Sequence, residues 1–66
     1  MRLEINGESR SFEGGKTVAE LIEWLKIPHG TVLVEHNGTA LHLREWQQTW
    51  LADGDRIELL HVVAGG

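Results

Sequence analysis

Asp53-Gly54-Asp55-Arg56-Ile57-Glu58-Leu59-Leu60-His61-Val62-Val63-Ala64-Gly65-Gly66 is the last stretch of the 66-residue sequence, and its reading decides the fold. Asp-Gly-Asp is a turn by composition, because Gly accepts positive φ and Asp side chains bond nearby backbone. From Arg56 to Val63 runs the longest strand pattern, with Ile57, Leu59, His61 and Val63 on one side and Glu58, Leu60 and Val62 on the other. Both sides are largely apolar, as in a strand buried at the centre of a sheet. If a single helix covers one face, however, Leu60 and Val62 on the other become an exposed apolar patch of the kind that marks protein interfaces. Ala64-Gly65-Gly66 follows as a tail of small residues. Two glycines give a carboxylate little bulk and wide backbone freedom, so it could be threaded into a narrow channel of another protein. An ordinary frayed end looks the same, and the rest of the chain has to decide.

The clearest element elsewhere is a helix. Thr17-Val18-Ala19-Glu20 is a capping box, in which the Thr hydroxyl and the Glu carboxylate satisfy free backbone donors at a helix start. Val18, Leu21, Ile22 and Leu25 follow at i, i+3, i+4 and i+7, a stripe that packs on a sheet while Glu20 and Glu23 face water. Pro28 and Gly30 are expected to end it. Before the helix, Met1, Leu3 and Ile5 alternate with Arg2 and Glu4 as a strand. Asn6-Gly7 is the preferred pair for a tight hairpin, so residues 9–13 should return antiparallel with Phe12 inward. After the helix, Thr31 to His36 reads as a strand with Val32, Val34 and His36 on one face, and Asn37-Gly38 turns it. Thr39 to Leu43 reads as a short fourth strand, Leu43 to Trp46 as one helical turn, and Gln47 to Leu51 as another short edge strand. One helix across a small mixed sheet is a two-layer α+β domain over residues 1–66. If the first and last strands lie side by side and parallel, residues 62–66 project as a flexible tail, which is the β-grasp arrangement.

Composition narrows the function classes. A chain of 66 residues buries only about 60% of its unfolded surface, leaving little room for a catalytic cleft. No Cys is present, so disulfides, iron-sulfur ligation and thiolate zinc sites are out, and any sulfur chemistry uses sulfur from outside. A net charge of -4 with no Lys/Arg cluster argues against nucleic acid. Met1 leads directly into a charged alternating pattern, which is not a signal peptide, and no apolar run approaches the roughly 20 residues of a membrane span. A cytoplasmic protein is the expectation. The spacings of His29, His36, His42 and His61 match no familiar ligand motif, so no metal site is expected. His36 and His61 interrupt apolar faces, as at a core edge where a polar tip reaches water. Trp24, Trp46 and Trp50 are expected to close the ends of the core. Glu20, Glu23, Asp53 and Asp55 read as solvated or capping, with Asp53 and Asp55 available to dock a basic partner surface, and no carboxylate pair is placed for acid-base work.

Taken together, Met1 to Gly7, Gly15-Lys16-Thr17-Val18 with Leu21 and Leu25, Asn37-Gly38, Glu45-Trp46, Asp53-Gly54-Asp55 and Val62-Val63-Ala64-Gly65-Gly66 resemble the ThiS-type sulfur carriers of thiamin (thiazole) biosynthesis, which have the ubiquitin-like β-grasp fold. The resemblance covers essentially the whole chain. One departure is local: His42 and Leu43 stand where the family often has Pro and Arg. The resemblance implies a carrier, not an enzyme, with no bound cofactor. A ThiF-type adenylyltransferase would use Mg-ATP to convert the Gly66 carboxylate to an acyl-adenylate, whose AMP is a good leaving group. A sulfur donor such as a cysteine desulfurase would then supply a persulfide, giving a thiocarboxylate that donates its sulfur inside a TIM-barrel thiazole synthase. In that scheme Gly66 is the modified residue, Ala64 and Gly65 the tail, and Leu60 and Val62 the partner interface. Two other readings stay open. The small subunit of molybdopterin synthase shares the tail chemistry but often carries Pro-Pro where Leu60-His61-Val62-Val63 stands here. A ubiquitin-like modifier would instead form isopeptides with lysines.

Overall fold

Five strands and one helix make up the computed structural model, which describes residues 1–62. They are β1 (Arg2–Ile5), β2 (Glu8–Ser11), α1 (Val18–Trp24), β3 (Val32–His36), β4 (Thr39–Leu41) and β5 (Arg56–His61). The strands form one sheet in the order β2-β1-β5-β3-β4. β1 and β5 are parallel and every other neighbouring pair is antiparallel. The last strand therefore lies at the centre beside the first, as the β-grasp expectation required. The α1 stripe Val18, Leu21 and Ile22 packs in one core with Leu3, Ile5, Phe12, Val32, Val34, Ile57 and Leu59.

Both Asn-Gly pairs turn as the sequence predicts. Asn6 and Gly7 take φ of 50° and 82°, Asn37 and Gly38 49° and 87°, the paired positive values that match the twist of a hairpin. Their side chains also do something no dipeptide pattern reveals. Asn6 Oδ1 accepts the Leu59 N–H at 2.7 Å while its Nδ2 donates to the Leu59 carbonyl at 3.3 Å, prolonging the β1–β5 pairing by a side chain. Asn37 Oδ1 likewise accepts the Arg56 N–H at 2.8 Å, pinning the start of β5 to the β3–β4 turn.

All four backbone donors that a helix start leaves free are satisfied in α1. Glu20 Oε1 accepts the Thr17 N–H and Thr17 Oγ1 accepts the Glu20 N–H, closing the expected capping box. The Val18 and Ala19 N–H groups reach the carbonyls of Thr49 and Trp46. Segment 47–51 is consequently not the edge strand expected from its pattern. Its Thr49 carbonyl serves the helix, and its one ladder contact is an isolated bridge between Thr17 and Trp50. Thr17→Ala should cost about 1 kcal/mol, lowering the melting temperature by about 4–8 °C without changing the circular dichroism spectrum of the native protein.

The helix also ends earlier than Pro28 would dictate. Lys26 takes φ of 60°, and the N–H groups of Lys26 and Ile27 bond the carbonyls of Glu23 and Ile22. That is a Schellman stop with Lys in the position glycine usually fills, which a search for Gly or Pro overlooks. Thr31 likewise falls outside β3, in a 3-10 turn spanning His29–Thr31, and the helical turn expected after β4 is a second one at Leu43–Glu45. Of the tryptophans, Trp46 is buried in the core. Trp24 is half covered, with its ring edge-on to Phe12 at 5.1 Å. Trp50 does not close the core, because its backbone is committed to Thr17 while its side chain is 65% exposed.

Candidate functional site

Since α1 covers one face of the sheet, alternation puts every second strand residue on the other, open face. Ile57 and Leu59 point into the core, so Arg56, Glu58 and Leu60 point out. Leu3 and Ile5 are buried, which leaves Arg2 and Glu4 outward, and Val32 and Val34 leave Leu33 and Glu35 outward. Most of this face is charged or small. Its exception is the corner where β5 ends. There Leu60 is paired in register with Leu33, and the two are 58% and 59% exposed. Val62, 46% exposed, continues the line, its N–H held by the Thr31 carbonyl at 2.8 Å. The same strand pair places Glu35 directly opposite Glu58, giving the corner an acidic border.

The exposed-patch alternative for Leu60 and Val62 is therefore the one the fold adopts, although β5 is central. One helix is too little to cover both faces. Leu33 was not singled out in the sequence, although its position out of phase with Val32 and Val34 puts it on the outer face. What brings it beside Leu60 is the β3–β5 register, which no local pattern encodes. Burying an exposed Leu or Val against a partner contributes roughly 1.5–3 kcal/mol per side chain, which makes this corner a candidate docking surface. Ala64, Gly65 and Gly66, with the expected flexible tail, lie outside the described residues.

At the opposite end of β5 the structure corrects the reading of Asp55. It is not a solvated carboxylate free to meet a basic partner. His36 Nε2 lies 2.7 Å from Asp55 Oδ2, the Ala52 N–H donates to the same oxygen at 2.9 Å, and Asn37 Nδ2 donates to Oδ1 at 3.2 Å. His36 accordingly ends on Asp55 and not in water. Burial opposes the charge on Asp55, but hydrogen bonds from His36, Ala52 and Asn37 outweigh it and hold the carboxyl below its ordinary range. A carboxyl lowered in the folded state stabilises the fold above its unfolded pKa of about 3.9, and that contribution is lost as pH falls through the folded value. Asp55→Asn should thus be less stable than the native chain at pH 7, and the gap should close as denaturation curves are taken below pH 4. Glu20, lowered by the backbone N–H groups of Lys16 and Thr17, keeps its own acid dependence in that variant.

Asp53 is exposed and accepts the Arg2 N–H at 2.6 Å. The histidines stand apart: His29 against Trp46, His36 on Asp55, His42 before the second 3-10 turn, and His61 exposed on β5. Among the described residues no three of His, Cys, Asp and Glu are placed to hold a metal ion, and no helix is long and apolar enough to cross a membrane.

Comparison with known proteins adds an independent line. The model of the ThiS family matches residues 3–66. The sulfur carrier protein ThiS of Escherichia coli is 32% identical over 66 residues, covering 100% of both chains. A thiazole synthase of Paramagnetospirillum magneticum is 35% identical over 66 residues, and the chain spans 20% of the length of that relative. Among solved structures, the crystal structure of a thiamine biosynthesis protein (ThiS) from Geobacter metallireducens superposes with a TM-score of 0.83 at 35% identity, over the full length of both chains.

Proposed function

The chain belongs to the ThiS family, and from that premise we propose that it is a sulfur carrier for thiazole formation in thiamin biosynthesis, a protein cosubstrate and not an enzyme. The observation that carries the reading is the course of β5. It runs through the centre of the sheet, parallel to β1, and ends the described chain at an exposed apolar corner. A partner gripping that corner holds the following residues at a fixed distance from its own active site, and Gly65-Gly66 is narrow enough to enter a channel.

The chemistry proposed for Gly66 needs nothing from this chain except its carboxyl group. In a ThiF-type adenylyltransferase a carboxylate oxygen attacks the α-phosphorus of Mg-ATP, pyrophosphate leaves, and the resulting acyl-adenylate is a strong electrophile. Persulfide sulfur from a donor such as a cysteine desulfurase then displaces AMP. Cleavage of the S–S bond by a thiol leaves a thiocarboxylate, which gives up its sulfur in a thiazole synthase. The Paramagnetospirillum relative supports that last partner, because a region similar to this whole chain lies within a longer protein of that name. The absence of Cys suits the scheme, since an internal thiol could intercept the acyl-adenylate. A cytoplasmic setting, where ATP and reduced persulfide carriers are available, goes with it.

ATP–pyrophosphate exchange by a ThiF-type enzyme tests the first step. Exchange that depends on the added protein supports the reading, and none with an enzyme active on its own carrier opposes it. Leu60→Asp should raise the protein concentration needed for half-maximal exchange about 10- to 100-fold, the loss of one buried Leu, with little change in melting temperature because Leu60 is exposed.

A further inference from the structure

β2 is one of the two outer strands of the sheet, and Glu8 to Ser11 are exposed along its whole length. Next to it, Met1 and Phe12 exchange both of their backbone hydrogen bonds, at 2.8 and 2.9 Å. Alternation along an antiparallel ladder then turns the N–H and C=O groups of Glu8 and Arg10 toward β1 and those of Ser9 and Ser11 away from it. Among the described residues nothing beyond β1 bonds the Ser9 or Ser11 backbone. The other outer strand, β4, is shorter, and the His42 N–H that follows it is taken by Glu45 at 2.7 Å. An open edge is commonly blunted by Lys, Pro or a bulge, and β2 has none of these. Its two charged residues, Glu8 and Arg10, are opposite in sign and two positions apart, on the same side of the sheet as the buried Leu3 and Phe12. Neither makes an ion pair among the described residues.

We propose that the partner of this edge is a second copy of the chain, joined β2 to β2 in antiparallel pairing about a two-fold axis at Ser9. The free backbone groups and the charges select that register together. Only Ser9 and Ser11 can occupy hydrogen-bonded positions across the new edge. An axis at Arg10 sets two Arg10 side chains against each other, an axis at Glu8 does the same for the carboxylates, and like charges directly opposite are destabilising. An axis at Ser11 leaves most of the strand unpaired. With the axis at Ser9, the two Ser9 residues exchange both backbone bonds, and Glu8 of each copy faces Arg10 of the other. Those two pairs fall in the non-hydrogen-bonded positions, where opposing Cα atoms come closest, about 4.5 Å apart. Such self-complementarity is what a two-fold interface requires. Arg10 is already held in place, its guanidinium 5.5 Å from the centre of the half-exposed Trp24 ring, so less side-chain freedom is lost on pairing. So short a strand buries little area, which makes the pairing transient and dependent on concentration. β1 stands between β2 and β5, so the apolar corners of both copies stay open, and the pairing does not depend on the chemistry proposed for Gly66.

The test is a dilution series of the 15N-labelled full chain followed by NMR at constant ionic strength, from about 2 mM down to about 20 μM. The backbone N–H resonances of Ser9 and Ser11 should move with concentration along a monomer–dimer curve, while those of Thr39 to Leu41 stay in place. Glu8→Arg or Arg10→Glu alone brings charges of one sign together across the axis, so each should weaken self-association about tenfold or more. An equimolar mixture of the two variants restores opposite signs at both pairs and should associate about as tightly as the native chain. Both positions are exposed, and circular dichroism checks that each variant is folded. Ser9 and Ser11 resonances that ignore concentration, a single variant that self-associates like the native chain, or a mixture that fails to associate would each overturn the proposal. So would shifts confined to β4, since the opposite edge would then be the one that pairs.

Discussion

Deleting Gly66 should reduce ATP–pyrophosphate exchange to background while leaving the melting curve in place. One residue of extended chain spans about 3.3–3.6 Å, so the new terminal carboxyl falls short of the α-phosphorus by that distance. A misplacement of about 1 Å can already cost on the order of 100-fold in rate, which makes the shortfall prohibitive. Stability should not follow, because the buried core runs from Leu3 to Leu59. Gly66→Ala keeps the chain length but adds a Cβ next to the reacting carboxyl, and exchange should fall between the native and deleted forms. A deletion variant that still supports exchange would place the reacting carboxyl elsewhere.

The second large effect is on folding. Phe12→Ala should leave the chain mostly unfolded at 37 °C. Phe12 is fully buried at the junction of β2 and α1, where its ring meets Trp24 and its N–H bonds the Met1 carbonyl. Truncating a buried Phe costs about 3–5 kcal/mol, from lost transfer energy and the cavity left behind. A domain of this size has roughly 3–10 kcal/mol in total, so one core residue can take most of it. Far-UV circular dichroism and urea titration read the result. A cooperative transition within about 1 kcal/mol of the native value would mean that the core relaxes around the missing ring.

Strands, hairpins and the helix start were legible in the sequence because each is encoded by near neighbours. Alternation places Leu3 and Ile5, Asn-Gly specifies the two turns, and the Thr17–Glu20 box marks the start of α1. Where donors and acceptors are exchanged over long distances, local reading fails. Gln47 to Leu51 alternates like a strand, yet its Thr49 carbonyl, with that of Trp46 just before it, completes the start of a helix some thirty residues earlier in the chain. Asp55 looks like any turn aspartate until the β3–β4 turn brings His36 and Asn37 to it. Two of the three residues of the candidate docking corner, Leu60 and Val62, were visible in the sequence. Leu33 completes it only through the register of β3 against β5.

Sulfur on the Gly66 carboxyl is read directly by intact-protein mass spectrometry. Incubation with Mg-ATP, a ThiF-type adenylyltransferase and a sulfide source should increase the mass by the difference between one sulfur and one oxygen. The added sulfur should map to the peptide containing Gly66 and be absent without ATP. An unchanged mass, with an enzyme that thiolates its own carrier under the same conditions, would contradict the account. A mass increase matching conjugation to a lysine of another protein would do the same, and would assign the chain to protein modification.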